Sequence, residues 1–328
     1  MQNERPRAVL AGASGFIGQR MQRELRAQGY DVSCIGRSGP DARWSDDTAV
    51  RALIDGADLV LNLAGKSVNC RYTDRNRDEL VRSRVQTTRQ IREAIAASAR
   101  PPRLWLNASG VTIYRDALDR PMTESTGELG TGFSVDLAQV WEDELFAGDL
   151  PGTRRVALRL AIVLGDGPAT GLLLRLARWG IGGTQYDGRW FAHRRYRSIG
   201  APARGANSAP ARRSRGRQKF SWIHIDDVVR GIRFIDDTTD LAGPVILAAP
   251  EASDNRDLMA ALRRGVGARF GLPACRWMLE PAMWALRTEP ELVLKSRWAV
   301  PERLLQHGFQ FQWTDLNAAV RDVARPRR

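Results

Sequence analysis

The segment Gly12-Ala13-Ser14-Gly15-Phe16-Ile17-Gly18 constrains this chain more than any other. The apolar run Ala8-Val9-Leu10-Ala11 leads into it, and a helical pattern follows from Gln19 to about Gln28. Strand, glycine turn and helix in that order open a βαβ dinucleotide fold. Gly12 can take turn angles that a Cβ would block. Gly15 lets the backbone approach a pyrophosphate, and Gly18 lets the helix lie close on the strand. The helix N-terminus then offers free N–H groups and a positive dipole end to phosphates. Glycine turns are common, so the GxxGxxG spacing alone is weak. The strand before it, the helix after it and a second strand at Asp31–Gly36 favour a nucleotide site over a structural turn.

Arg37 and Ser38 follow that second strand. In NAD-preferring sites an acid near this strand end bonds the ribose 2′-hydroxyl. A guanidinium and a hydroxyl instead suit a 2′-phosphate, which points to NADP before NAD. The alternative is that Arg37 is a solvated loop residue. Ala57 to Gly65 is nearly continuous in apolar residues, as a strand buried on both faces should be. Asp78 to Ala99 reads as a helix, with Val81, Val85, Thr88, Ile91 and Ile95 on one stripe, and Pro101-Pro102 stop it. A strand from Arg103 to Ser109, a helix from Ser134 to Phe146 and a buried strand from Arg155 to Leu164 continue the alternation. The expected fold is an α/β doubly wound parallel sheet of Rossmann type. Ligands lie at the carboxyl ends of such strands. That rim gathers the glycine motif with Ser14, Phe16 and Ile17, then Arg37, Ser38, Leu63-Ala64-Gly65 and Ser109.

The 328 residues allow one large or two smaller domains. Cys34, Cys70 and Cys275 are far apart and odd in number, so they make neither a metal-ligand spacing nor a disulfide framework. The opening residues are polar, with no apolar leader segment, and no apolar run approaches membrane-spanning length. These features predict a cytoplasmic protein with no membrane partner. The net charge of +13 invites a nucleic-acid reading, but ten Lys or Arg and no acid fall between Arg189 and Lys219. The charge is therefore a property of one segment. From about 186 to 216 that segment reads as a basic, disordered insertion. Aromatics among its arginines, such as Trp190 and Tyr196, could stack on bases. A solvated loop is the favoured reading, and a lid over the substrate side is a third.

Several stretches beyond the glycine turn carry a family resemblance. They are Asn62-Leu63-Ala64-Gly65, Ser83-Arg84 with Thr87-Thr88, Trp141-Glu142, Arg159 to Gly165 and Ser221-Trp222-Ile223-His224-Ile225-Asp226-Asp227. Near the end stand Pro301-Glu302-Arg303-Leu304-Leu305 and Gly308-Phe309-Gln310-Phe311. With them the chain resembles the extended short-chain dehydrogenases/reductases. The narrower match is the nucleoside-diphosphate-sugar-epimerase-like sub-group with a C-terminal module of unknown function. The resemblance implies a nucleotide-binding domain over 1–271, a small module over 272–328 and, as in many extended members, a homodimer. It departs at Lys66, where Glu is common, and at Asn107, where Ser is common.

In typical members a Tyr-x-x-x-Lys pair moves a proton while nicotinamide moves a hydride, and a Ser or Thr at a strand end holds the substrate oxygen. Ser109 fits the last role. The dyad is missing: no Tyr here has Lys four residues later, and Ser134 and Ala138 fall in the two places. Tyr114 is the remaining acid candidate, although it could simply pack with its hydroxyl bonded. His224, Asp226 and Asp227 carry metal-ligand vocabulary, yet the pattern reads better as a strand running into a helix capped by Asp226 or Asp227. No metal is expected. The expectation is an NADP(H)-binding oxidoreductase or epimerase-like protein acting on a carbonyl or hydroxyl carbon of a small polar substrate. Two alternatives stay open. One is a catalytically silent NADP(H)-binding or redox-sensing protein. The other is a nucleic-acid-associated protein using the insertion.

Overall fold

The computed structural model describes residues 5–188, 199 and 214–325. The predicted insertion at about 186–216, with Trp190 and Tyr196, therefore lies mostly outside the described residues. Seven parallel strands form the central sheet: β1 (Arg7–Ala11), β2 (Asp31–Gly36), β3 (Ala42–Arg43), β4 (Leu59–Asn62), β5 (Leu104–Gly110), β6 (Arg154–Leu160) and β10 (Gly243–Leu247). Their order across the sheet is β10-β6-β5-β4-β1-β2-β3. The chain winds one way from β1 through β2 and β3, and the other way from β4 onward. The crevice between β1 and β4 is thus the switch point where such sheets bind ligands. The register there sets Ala11 beside both Ile35 and Asn62, and Asn62 beside Asn107.

Helices α1 (Phe16–Ala27), α2 (Asp47–Ile54), α3 (Asp74–Ala96) and α4 (Phe133–Phe146) flank the sheet. The strands are apolar on both sides because both faces are covered. Leu10, Leu61, Leu106 and Leu158 pack into one cluster, and Val9, Val60, Trp105 and Ala157 into the other. Helix α3 starts at Asp74, where the Thr73 side chain accepts from the N–H of Asn76. Its buried stripe is Leu80, Arg84, Thr88, Ile91 and Ile95. The period is as predicted, but near its start the stripe runs through Leu80 and Arg84 rather than Val81 and Val85. A charged residue therefore occupies a position that helical spacing turns inward.

Beyond β6 the chain leaves the main sheet and returns to it with β10. Strand β7 (Ile162–Leu164) pairs with β9 (Trp222–His224), and β8 (Lys219–Phe220) pairs with β11 (Ser253–Asp254). Helices α5 (Pro168–Arg178), α6 (Ile225–Asp237) and α7 (Asn255–Gly265) lie around these pairs. The N-cap of α6 corrects the sequence reading. It is His224, whose Nδ1 accepts from the N–H of Asp226, rather than either aspartate. Asp227 is fully buried and accepts from the N–H groups of Gln312 and Trp313 at 2.9 and 2.8 Å and from Arg230 at 2.8 Å. It ties the end of the chain to the body. The His224 ring lies against the Trp313 ring with centroids 4.4 Å apart. Among the described residues no group of His, Cys, Asp and Glu could hold a metal ion.

The last stretch adds α8 (Arg276–Ala285), α9 (Glu291–Leu294), α10 (Glu302–Gln306) and α11 (Leu316–Ala324). Ala299, Leu304 and Phe309 join the main apolar cluster, so this stretch shares the core of the sheet. Among the described residues no helix is long and apolar enough to cross a membrane.

Candidate active site

The glycine turn follows β1 directly. Gly12 has φ +83°, and a Cβ there would sit 2.7 Å from the carbonyl carbon of Leu63. A side chain would thus be strained by conformation and would also strike the end of β4. A Cβ on Gly18 would lie 2.2 Å from the Gly12 oxygen, so glycine is what lets α1 start against the turn. Gly15 is the N-cap of α1, with no side-chain cap and no acid in the first turn. The helix N–H groups and the positive dipole end therefore stay open toward the crevice. The Phe16 ring lies over Gly165 and Gly167, where added Cβ atoms would lie 2.4 and 3.0 Å from it.

A cleft of about 430 Å³ opens on this turn. Gly12, Gly15, Phe16, Ile17 and Gly18 line one side, and Leu63, Ala64, Gly65, Lys66 and Arg84 another. Ala108, Ser109, Thr112, Ser134, Ala138, Trp141 and Leu160 line the far end. Ser14, Arg37 and Ser38 do not line it. Arg37 and Ser38 lie exposed in the turn just after β2, and Arg37 has no side-chain partner among the described residues.

A buried polar network fixes the strand ends. Asn62 Nδ2 donates to Asn107 Oδ1 at 2.7 Å and to Thr88 Oγ1 at 3.2 Å. Asn62 Oδ1 accepts from the N–H of Ala64 at 3.0 Å, and Trp141 Nε1 donates to Thr88 Oγ1 at 3.0 Å. Four segments, β4, β5, α3 and α4, are thereby locked together beside the cleft. Buried polar groups satisfied in this way favour one arrangement, since any slip leaves a costly orphan.

A second network underlies Ser109. Its hydroxyl donates to Glu142 Oε1 at 2.6 Å. Arg159 donates to both oxygens of Glu142, at 2.9 and 2.6 Å, and to the Tyr114 hydroxyl at 2.7 Å. All four residues are buried. Burial pushes the Tyr114 phenol up to about 12, against a lowering from the Arg159 charge and hydrogen bond. The Arg159 guanidinium is held above its usual range despite its desolvation, by Glu142 first and then Tyr114. The sequence offers Tyr114 either as an acid candidate or as a packed residue with its hydroxyl bonded. It does not line the cleft, and its hydroxyl is occupied by Arg159. A phenol so placed braces the loop that follows β5. Ser109, by contrast, lines the cleft as expected. Ser134 and Ala138 line the same end, one helical turn apart on α4, where the missing dyad would stand.

The cleft also contains a residue that sequence spacing did not single out for binding. Arg84 is 8% exposed and packs its guanidinium carbon 4.9 Å from the Trp141 ring. A Cβ on Gly65 would lie 3.2 Å from that carbon, so the glycine makes room for the cation. The signal available in sequence was a charge four residues from both Leu80 and Thr88 on an otherwise inward stripe. Lys66, on the same wall, is paired with Glu79 at 2.5 Å.

Comparison with known proteins agrees with this geometry. The profile of the NAD dependent epimerase/dehydratase family matches residues 8–138, and that of a domain of unknown function, DUF1731, matches residues 276–323. An epimerase family protein, YfhF of Bacillus subtilis, is 26% identical over 98% of both chains. The crystal structure of human epimerase family protein SDR39U1 with NADPH superposes with a TM-score of 0.80 at 26% identity, covering 97% of this chain and 99% of that one. Thermus thermophilus UDP-glucose 4-epimerase in complex with NAD shares the fold at 15% identity, with a TM-score of 0.70 over 97% of each chain.

Proposed function

We propose that this chain, which belongs to the epimerase-like extended short-chain dehydrogenases/reductases, binds NADP(H) in the cleft and works as an oxidoreductase on a small polar substrate. The observation that carries the reading is the meeting of the open α1 N-terminus, the Gly12–Gly18 turn and the ends of β4 and β5 on one cleft. That arrangement fits a dinucleotide: a diphosphate needs N–H donors and a close approach to the backbone, which the open α1 N-terminus and the glycines at 12, 15 and 18 offer. In this reading the backbone from Gly12 to Gly18 holds the diphosphate. Leu63, Ala64 and Gly65 flank the nicotinamide half, and Arg37 with Ser38 receives the 2′-phosphate. When bound, the cofactor supplies or accepts a hydride. That the human relative was solved with NADPH supports the phosphate preference.

The chain's own part in the chemistry centres on Ser109. Its hydrogen is committed to Glu142, so its lone pairs are what it offers a ligand. That arrangement receives a hydrogen bond from a substrate hydroxyl. To donate to a carbonyl, Ser109 would have to turn its hydrogen away from a buried carboxylate, at a cost of about 1–3 kcal/mol. The alcohol form of the substrate is therefore the better match to this site. A second reading, a cofactor-binding protein without turnover, is favoured by one observation: the Tyr114 hydroxyl is engaged with Arg159.

The test is titration of the purified protein with NADPH and NADH, with Arg37→Asp in parallel. Saturable NADPH binding that Arg37→Asp weakens about tenfold or more, with NADH little changed, is the expected result, on the scale of one charge-assisted hydrogen-bonded contact. Absence of binding by either cofactor would overturn the proposal. Alcohol and carbonyl substrates screened with the bound cofactor then separate the two readings.

A further inference from the structure

The cleft wall has a charge imbalance. Among the described residues that line it stand two cations, Lys66 and Arg84, and no carboxylate. Lys66 is neutralised by Glu79. Arg84 has no ion pair among the described residues, and its single hydrogen bond there runs from Nη1 to the Leu80 carbonyl oxygen at 3.1 Å. A guanidinium carries five N–H donors, so most of its capacity is unused. Burial without a counter-charge pushes it down to about 10. Leaving a buried charge uncompensated is costly, and such residues are kept where a ligand completes them.

The anionic parts of the cofactor already have receivers on other elements. The diphosphate goes to the α1 N-terminus and the 2′-phosphate to Arg37. Arg84 projects from α3 between Gly65 and Trp141, on the wall shared with the far end of the cleft where Ser109 stands. Resting on the proposed function, we infer that Arg84 is the anion receiver of the substrate, so that the substrate is a hydroxy compound carrying a carboxylate or phosphate. The planar fork suits either oxyanion, and one edge of it is pinned by Leu80 and the Trp141 ring. Substrate is then held at two points, its anion on Arg84 and its hydroxyl on Ser109.

The experiment uses acetate and inorganic phosphate as probes, added to full-length protein already saturated with NADPH and followed by calorimetry. Arg84→Gln and Arg84→Lys are compared with the unaltered chain, after circular dichroism has shown each to be folded. Saturable binding of at least one probe is expected, weakened tenfold or more in Arg84→Gln and partly restored in Arg84→Lys. NADPH affinity should stay within about threefold in both variants. A tenfold loss of NADPH affinity in Arg84→Gln would overturn the inference and assign Arg84 to a cofactor phosphate. No probe binding by the NADPH-loaded protein, or binding equal in Arg84→Gln, would overturn it also. If the unaltered chain binds no NADPH, the cofactor reading fails by itself. The same titration on the free protein then decides Arg84, with Arg84-dependent binding as support and its absence as refutation.

Discussion

Tyr114→Phe separates a structural tyrosine from a chemical one. The substitution keeps the ring and removes only the oxygen that accepts from Arg159 Nη1 at 2.7 Å. Arg159 is 8% exposed, so water does not readily replace the lost acceptor. A hydrogen bond to a charged group is worth about 1.5–3 kcal/mol, and the variant should lose about 2 kcal/mol. Urea unfolding followed by tryptophan fluorescence measures this, and Tm should fall by a few degrees. NADPH affinity should stay within about threefold, and any turnover found should survive. The unaltered protein has a matching alkaline signature. The Tyr114 phenol is raised from 10.0 to about 12 in the folded state, chiefly by burial. Its contribution is present below pH 10 and is lost as pH rises toward 12, to the extent of about 2–3 kcal/mol. That part of the alkaline loss should be missing in Tyr114→Phe. Unchanged stability together with a hundredfold loss of turnover would refute this reasoning and restore Tyr114 as the proton donor.

Gly18→Ala should impair fold and cofactor binding together. Its Cβ would sit 2.2 Å from the Gly12 oxygen, so α1 must back away from the turn that holds the diphosphate, at about 1–3 kcal/mol. Denaturation midpoints and an NADPH titration would show both effects. Glu142→Gln leaves Arg159 buried without its carboxylate and should destabilise the protein by about 3–5 kcal/mol, measured by urea unfolding. Asn62→Ala removes two donors' worth of contact to Asn107 and Thr88 and the acceptor for the Ala64 N–H. A loss of about 2–4 kcal/mol is expected, with weaker NADPH binding because the Ala64-Gly65 turn is no longer fixed.

Much of the architecture was legible because its signals are local. The glycine turn, the apolar strands and the proline stop after α3 each act through their own backbone and immediate neighbours. Residues one or two places apart carry such information whatever the rest of the chain does. The cap of α6 was misread because histidine and aspartate can both accept from a helix N–H, and only the folded backbone at His224 decides between them. The stripe of α3 kept its period, but only the fold showed that it takes in Arg84 in place of Val81 and Val85. Hydrophobic spacing cannot announce a cation that faces inward.

The site divides along the same line. Sequence alone determined that a dinucleotide-type turn exists and that the usual catalytic dyad is absent, since both are statements about residue types at fixed short spacings. Tertiary structure decided which side chains share a space. Tyr114 and Ser109 are five residues apart, yet one is locked beneath the cleft and the other lines it. Glu142 and Arg159, from α4 and β6, sort them by taking one hydroxyl each. Those choices depend on contacts between segments far apart in the chain, and such contacts exist only once the strands are in register and the helices are packed against them.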